Sequence, residues 1–324
     1  MTPNLGRNKI YWSREGDRLV CVLESLSDRA RYEVDPGLLS ASLRDVVHQQ
    51  LGDDNHPHVD NYEVLTALGW SHAVDYLCTI RDYPYVDYAK GEARPDDNAR
   101  MQQYRDLGAP PPREFAPPVS GDPIALPEPG PLDDCLSDCL KSRTLSHGPR
   151  LTQATLGQLL YYTFGAVGEI EFPIQGRFLL KTSPSGGARH PTEAYVLTYE
   201  SALPRSIYHY SPTSHTLTPT RQLPTLGQLR DVVPDLSQTE LAPRVVIVLT
   251  SIVARSMWRY REPRSYRVVL HDVGHLAETA SVVSHALGHS LLCAYGFADR
   301  ALHELLNTGV DFEAQPPVLC LAVF

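Results

Sequence analysis

Lysine is scarce in this chain: only Lys9, Lys90, Lys141 and Lys181 stand among 29 basic residues. The basic total is itself short of the 38 acidic residues, and the net charge is −9. Duplex nucleic acid is therefore an unexpected partner, because its phosphates need a positive field. Long apolar runs are missing as well. None reaches the length of about 18 residues that a membrane span needs. The N-terminus, MTPNLGRNKIYW, lacks the apolar core of a signal peptide. The six cysteines are scattered, and Cys135 and Cys139 have no second pair to complete a zinc site. Free thiols, no metal and a cytoplasmic location are expected.

What is present is a globular composition, 42% apolar over 324 residues, enough for a sizeable core. No internal repeat is visible. Residues 9–34 read as three short strands separated by turn-rich REGD and SLSD. Helical spacing follows over Pro36 to Leu51 and again over Glu63 to Leu77. Residues 1–85 are thus expected to form a small α+β unit. Ten prolines fall between residues 86 and 131, which predicts an extended linker or arm with at most a short helix over Met101 to Leu107.

Residues 132–324 read as the main domain. Asp133 and Asp134 would cap a helix running to about Arg143, and Thr155 to Phe164 reads as a second helix stopped by Gly165. Strands are expected over Ala194 to Tyr199, Val245 to Leu249, Ser290 to Tyr295 and Val318 to Phe324. A hairpin is expected around PTSH, and a helix over Asp299 to Leu306. Tyr266 to Leu287 is long, apolar and periodic, and predicts a central helix ending at Gly288. The fold class is α+β.

The sharpest local signal is the loop from Lys181 to Glu193. Pro184 fixes φ, and Gly186 and Gly187 let backbone come close to a flat ligand. Exposed amides there could bond the polar edge of a planar heterocycle, with Arg189 and His190 beside them. An ordinary Gly-Gly loop between strands is the competing reading. The loop is no dinucleotide fingerprint, no P-loop and no nucleophile elbow. Glu193 reads as a group bonded to backbone or to an arginine to fix the loop. His271 and His275 have metal-pair spacing on a helix, but no third ligand is evident, so packing or interface histidines are expected.

The stretch SPSGGARHPTEAYV resembles the signature of SagB-type dehydrogenases, an FMN-dependent branch of the nitroreductase superfamily. Lys141-Ser-Arg-Thr144 is similar to the basic segment that opens nitroreductase domains. Trp258-Arg-Tyr260 with Arg264 to Arg267 resembles the stretch around the family's lysine-tyrosine pair. Asp272 to Leu276 resembles the start of the central helix, and Gly296 to Asp299 the turn after it. The resemblance covers about residues 133–324. It implies an antiparallel-rich sheet flanked by helices, and a homodimer with FMN at the interface. It also implies that Ser142 and Arg143 bind phosphate and ribityl chain, that Pro184, Ser185, Gly186, Gly187 and Arg189 line the ring, and that Gly296 and Phe297 approach it. Tyr260 and Arg259 would be the catalytic pair, and Arg264 and Arg267 would shape the substrate side.

Arg259 departs from the family lysine. Arginine stays protonated and is a poor general base, which argues against azoline-to-azole oxidation. The activity expected is FMN-dependent oxidation of a peptide-derived natural product by hydride transfer from a substrate C–H. The alternatives are oxidation of an aromatic side chain, reduction of a substrate with NAD(P)H, or a non-catalytic flavoprotein partner of a modifying enzyme.

Overall fold

The structure is a computed structural model and describes residues 9–15, 18–24, 29–34, 73, 76, 93–132 and 144–324. Two compact units divide at Arg81/Asp82. In the first, β1 (Lys9–Glu15), β2 (Arg18–Glu24) and β3 (Arg29–Val34) form an antiparallel meander in the order β1-β2-β3. Ala73 and Tyr76 are helical. The helix expected over Pro36 to Leu51, most of that over Glu63 to Leu77, and the one over residues 133–143 lie outside the described residues.

The second unit begins, among the described residues, with α1 (Ala93–Leu107). This helix corrects the expectation of a mostly extended segment. Pro95 falls in the first turn, where its missing N–H would have had no partner anyway. The next proline, Pro110, comes after the last helical residue. The chain from Gly108 to Leu132 is extended and lies on the unit's own sheet. Its short strand β4 (Ile124–Ala125) pairs with β9 (Thr216–Arg221), and the Ser120 N–H donates to the Pro219 carbonyl at 2.7 Å.

The remaining strands are β5 (Ala166–Phe172), β6 (Gly176–Lys181), β7 (Thr192–Thr198), β8 (Ile207–Ser211), β10 (Val245–Ser251), β11 (Leu291–Ala294) and β12 (Pro317–Val323). Among the described residues, seven strands form one antiparallel sheet in the order β11-β12-β10-β7-β8-β9-β4, and β5 and β6 form a separate ribbon. The helices are α2 (Gln153–Phe164), α3 (Leu226–Val232), α4 (Ala254–Met257), α5 (Ser265–Ala286) and α6 (Asp299–Leu306).

Period-two alternation explains why the central strands read as unbroken apolar runs. Val245, Ile247 and Leu249 face one side of the sheet, where they meet Leu156, Leu160 and Phe164 of α2 and Val273, Ala277 and Ala280 of α5. Val246 and Val248 face the other side, against Leu229 of α3 and Leu302 and Leu306 of α6. A sheet covered on both faces has no polar face to show. Each such side chain contributes about 1.5–3 kcal/mol when fully buried. Thr152 starts α2 by accepting the Thr155 N–H at 3.0 Å, and Gly165 ends it because a side chain there would strike the Tyr161 carbonyl. Thr225 and Gln228 cap α3 reciprocally.

Candidate active site

The antiparallel order sets the starts of β7 and β12 and the ends of β10 and β11 at one end of the sheet. The loop 182–191, the segment 252–264 and the turn 295–298 therefore gather there. α5 begins at the same segment and runs back over the sheet.

α5 holds the Gly-Gly loop through Asp272. Ser185 Oγ donates to Asp272 Oδ2 at 2.6 Å, and the Gly186 N–H donates to Oδ1 at 3.0 Å. Ser185 Oγ also accepts the His190 N–H at 2.9 Å. The Ala188 N–H returns to the Ser185 carbonyl at 3.0 Å. Burial pushes the Asp272 carboxyl up, against the opposing pull of the Ser185 and Gly186 bonds. The amides of Gly186 and Ala188 are thus spent inside the protein, where sequence reasoning expected them exposed. Gly187 remains exposed.

Both glycines are required by close approach. A side chain at Gly186 would strike Val268 of α5, and one at Gly187 would strike the Tyr260 hydroxyl. Gly187 also has φ +62°, which favours glycine. Tyr260 therefore closes directly over the loop. Its ring has Arg189 at 5.7 Å and Arg259 at 5.1 Å from its centroid. Arg259 Nη2 donates to both oxygens of Asp97, at 2.6 and 2.8 Å. That carboxylate comes from α1, which also meets this segment through an edge contact between Tyr104 and Trp258.

Behind the loop lies a buried charged network. Arg255 is 1% exposed; its Nη1 donates to Glu193 Oε1 at 2.5 Å and to the His190 carbonyl at 2.8 Å. Its Nε donates to the Pro112 carbonyl at 2.9 Å, which fastens the proline-rich arm to the core. His209 Nε2 lies 2.8 Å from Glu193 Oε2. Burial alone would raise the Glu193 carboxyl, but Arg255 and His209 outweigh it and hold it down to about 2. Glu193 does bond an arginine, as its place after the loop suggested.

A small cavity opens between this network and α5, lined by Phe164, Lys181, Pro184, Ser185, His190 and Asp272 among others. Burial lowers the Lys181 ammonium to about 8, with Glu193 pulling upward and Arg255 downward. Burial and the Lys181 charge lower His190 to about 3. His190 is neutral at ordinary pH, and Nε2, 3.0 Å from the Leu179 carbonyl, is its donor.

Arg189 is 3% exposed and donates from Nη2 to Gln175 Oε1 at 2.6 Å. Arg264 lies 3.5 Å from Glu262, while Arg267 is exposed on the first turn of α5. Gly296 is exposed and Phe297 packs on the α3–α6 side of the sheet. Both follow β11, three strands from β7, or about 14 Å at ordinary strand spacing. Ser142 and Arg143 lie outside the described residues. His271 and His275 are exposed on α5.

The nitroreductase family model matches residues 142–323. The chain belongs to the nitroreductase family. Among curated relatives, it is 34% identical to the trifolitoxin-processing protein TfxB of Rhizobium leguminosarum bv. trifolii over 134 residues, 40% of this chain and 36% of TfxB. It is 26% identical to the microcin B17-processing protein McbC of Escherichia coli, over 38% of this chain and 47% of McbC. These relatives agree with the SagB-type resemblance. The chain matches only about a third of the length of TfxB. A nitroreductase-type protein of Anabaena variabilis has a solved structure similar over 69% of this chain and 45% of its own, with 20% identity and a TM-score of 0.52. That likeness extends to the fold.

Nitroreductase-family proteins are flavin-dependent, and the side chains present suit a flavin nucleotide. Arg189 carries two buried nitrogens, Nε and Nη1, without a hydrogen-bond partner among the described residues. Gly187 is exposed beside Tyr260, and a side chain added at Gly296 would meet open space. Asp97 and Asp272 are the contributors that sequence reasoning missed as site groups. Each acts across 87 or more residues, so no local spacing marks it.

Proposed function

We propose that this nitroreductase-family chain is an FMN-dependent oxidoreductase that oxidises a peptide-derived natural product. The observation that carries this reading is the Gly186–Gly187 turn, pinned by Asp272 and closed over by Tyr260, beside a buried arginine with unpaired donors. The names of two relatives, processing proteins for trifolitoxin and microcin B17, support a peptide substrate.

Pro184, Ser185, Gly186, Gly187 and Arg189 would hold the cofactor from one side, Gly296 and Phe297 from another, and Ser142 and Arg143 would take its phosphate. When bound, FMN supplies a two-electron acceptor at N5 for a hydride from a substrate C–H, with molecular oxygen as the final oxidant. The chain's own part is to orient and to handle the proton. Tyr260 is the group positioned for that proton, because its hydroxyl lies on the loop. Arg259 is committed to Asp97 and serves to position Tyr260 rather than to accept a proton. Arg264 and Arg267 would face the substrate.

Met257, Tyr266 and Leu270 expose apolar surface near the start of α5, as does Tyr295 after β11. An interface between two copies, with the cofactor between them, would cover it.

The test is the absorbance spectrum of the purified protein and the cofactor it releases on denaturation. Yellow protein releasing about one FMN per subunit is expected, and Tyr260→Phe should retain FMN while losing roughly 100-fold in turnover. Colourless protein that takes up no added FMN would overturn the reading. Bound FMN with unchanged turnover in Tyr260→Phe would remove Tyr260 from the chemistry.

A further inference from the structure

Two arginines near the loop have no counter-charge among the described residues. Arg189, at the end of the loop, sits with its guanidinium carbon 4.6 Å from the centroid of Phe178. Arg113, on the proline-rich arm, sits 4.3 Å from the centroid of the same ring. Arg189 Nε and Nη1 and Arg113 Nη2 are buried with no hydrogen-bond partner among the described residues. The Tyr260 hydroxyl lies close enough to Arg189 to favour its charged form, but Nε and Nη1 remain unpartnered.

Four described carboxylates of this region are engaged elsewhere. Glu193 serves Arg255 and His209, and Asp97 serves Arg259. Asp272 serves Ser185 and Gly186, and Glu114, next to Arg113, bonds Arg177 at 3.1 Å. Burial and then the Arg113 charge push Arg189 down to about 10, and burial and the Arg255 charge lower Arg113. Both arginines stay charged at neutral pH.

Two guanidinium groups held over one ring, Arg189 buried and Arg113 half-buried, repel each other. Such a pair is stable when an anion lies between its donors, and the guanidinium fork matches the oxygens of a carboxylate or phosphate. We propose that Arg113 and Arg189 form an oxyanion-binding site beside the Gly186–Gly187 turn. The shared chemistry is a carboxylate or phosphate. Its sources are a carboxylate of the substrate or the phosphate of the cofactor. Substrate carboxylate is the expected source, since Arg189 also borders Tyr260. That assignment of source rests on the proposed function, whereas the site itself does not.

The test uses the full chain with whatever cofactor it carries, and titrates inorganic phosphate and acetate at ionic strength held constant with chloride. The wild type should show a saturable rise in melting temperature with each anion. Arg113→Gln, changed on the arm rather than in the core, should weaken phosphate about tenfold, and Arg113→Lys less. Circular dichroism checks that the variants fold, and calorimetric titration of the wild type supplies a second measure of binding. The affinities for FMN and riboflavin then identify the source. If Arg113→Gln weakens FMN but not riboflavin, the site takes the cofactor's phosphate. If it changes neither, the oxyanion comes from another ligand, as expected. Equal response to phosphate and chloride in the wild type, or unchanged anion binding in Arg113→Gln, overturns the site. Because anion binding is read without turnover, a protein that binds no flavin would leave this proposal standing and sink only the flavin reading.

Discussion

Gly187 shows how one residue can be fixed by two independent demands. Its backbone lies at φ +62°, and the place of a side chain is taken by the Tyr260 hydroxyl. Gly187→Ala must pay for the left-handed backbone and also move the tyrosine. A loss of about 1–3 kcal/mol is expected, together with weaker flavin binding. Thermal melts and flavin titration of the variant test this, and an unchanged melt would show that the turn yields freely. The loop itself was legible in the sequence, since Pro-Ser-Gly-Gly is a local pattern. Its anchors were not. Asp272 reaches Ser185 across 87 positions, and nothing near either residue marks the pairing.

At the scale of elements, the buried strands and the central helix were the easiest to read. β10 and β12 are covered on both faces, so their sequences are unbroken apolar runs, and α5 carries a long periodic stripe. The β5–β6 ribbon escaped notice because its apolar residues do not follow burial: Val167, Ile170 and Phe172 are all exposed. α1 escaped because Pro95 reads as a breaker when counted and is harmless when placed in a first turn. α1 also brings Asp97 to Arg259, so the two should be energetically coupled. In a double-mutant cycle of Asp97→Asn and Arg259→Gln, the summed single effects should differ from the double variant by about 1 kcal/mol. Strict additivity would show that the ion pair contributes nothing of its own.

For the whole molecule, the Arg255–Glu193–His209 network joins β7, β8, α4 and the arm. The Glu193 carboxyl sits at about 2 in the folded state against an ordinary 4.5. Its contribution is therefore present above about pH 4.5 and is lost as pH falls toward 2, because the unfolded chain binds the proton first. Wild type should lose stability across that window more steeply than Glu193→Gln, whose side chain does not titrate. Parallel acid-unfolding curves for the two proteins would contradict this.

The arm shows that the limits of family likeness are not the limits of what folds. The family match begins at residue 142. Asp97, the Pro112 carbonyl, Arg113 and β4 all come earlier in the chain. A protein trimmed to the matched residues would keep the whole of the family match yet leave Arg255 Nε without the Pro112 carbonyl. It would also bare the edge of β9, an open row of amides and carbonyls ready to pair with another chain. Such a fragment should self-associate.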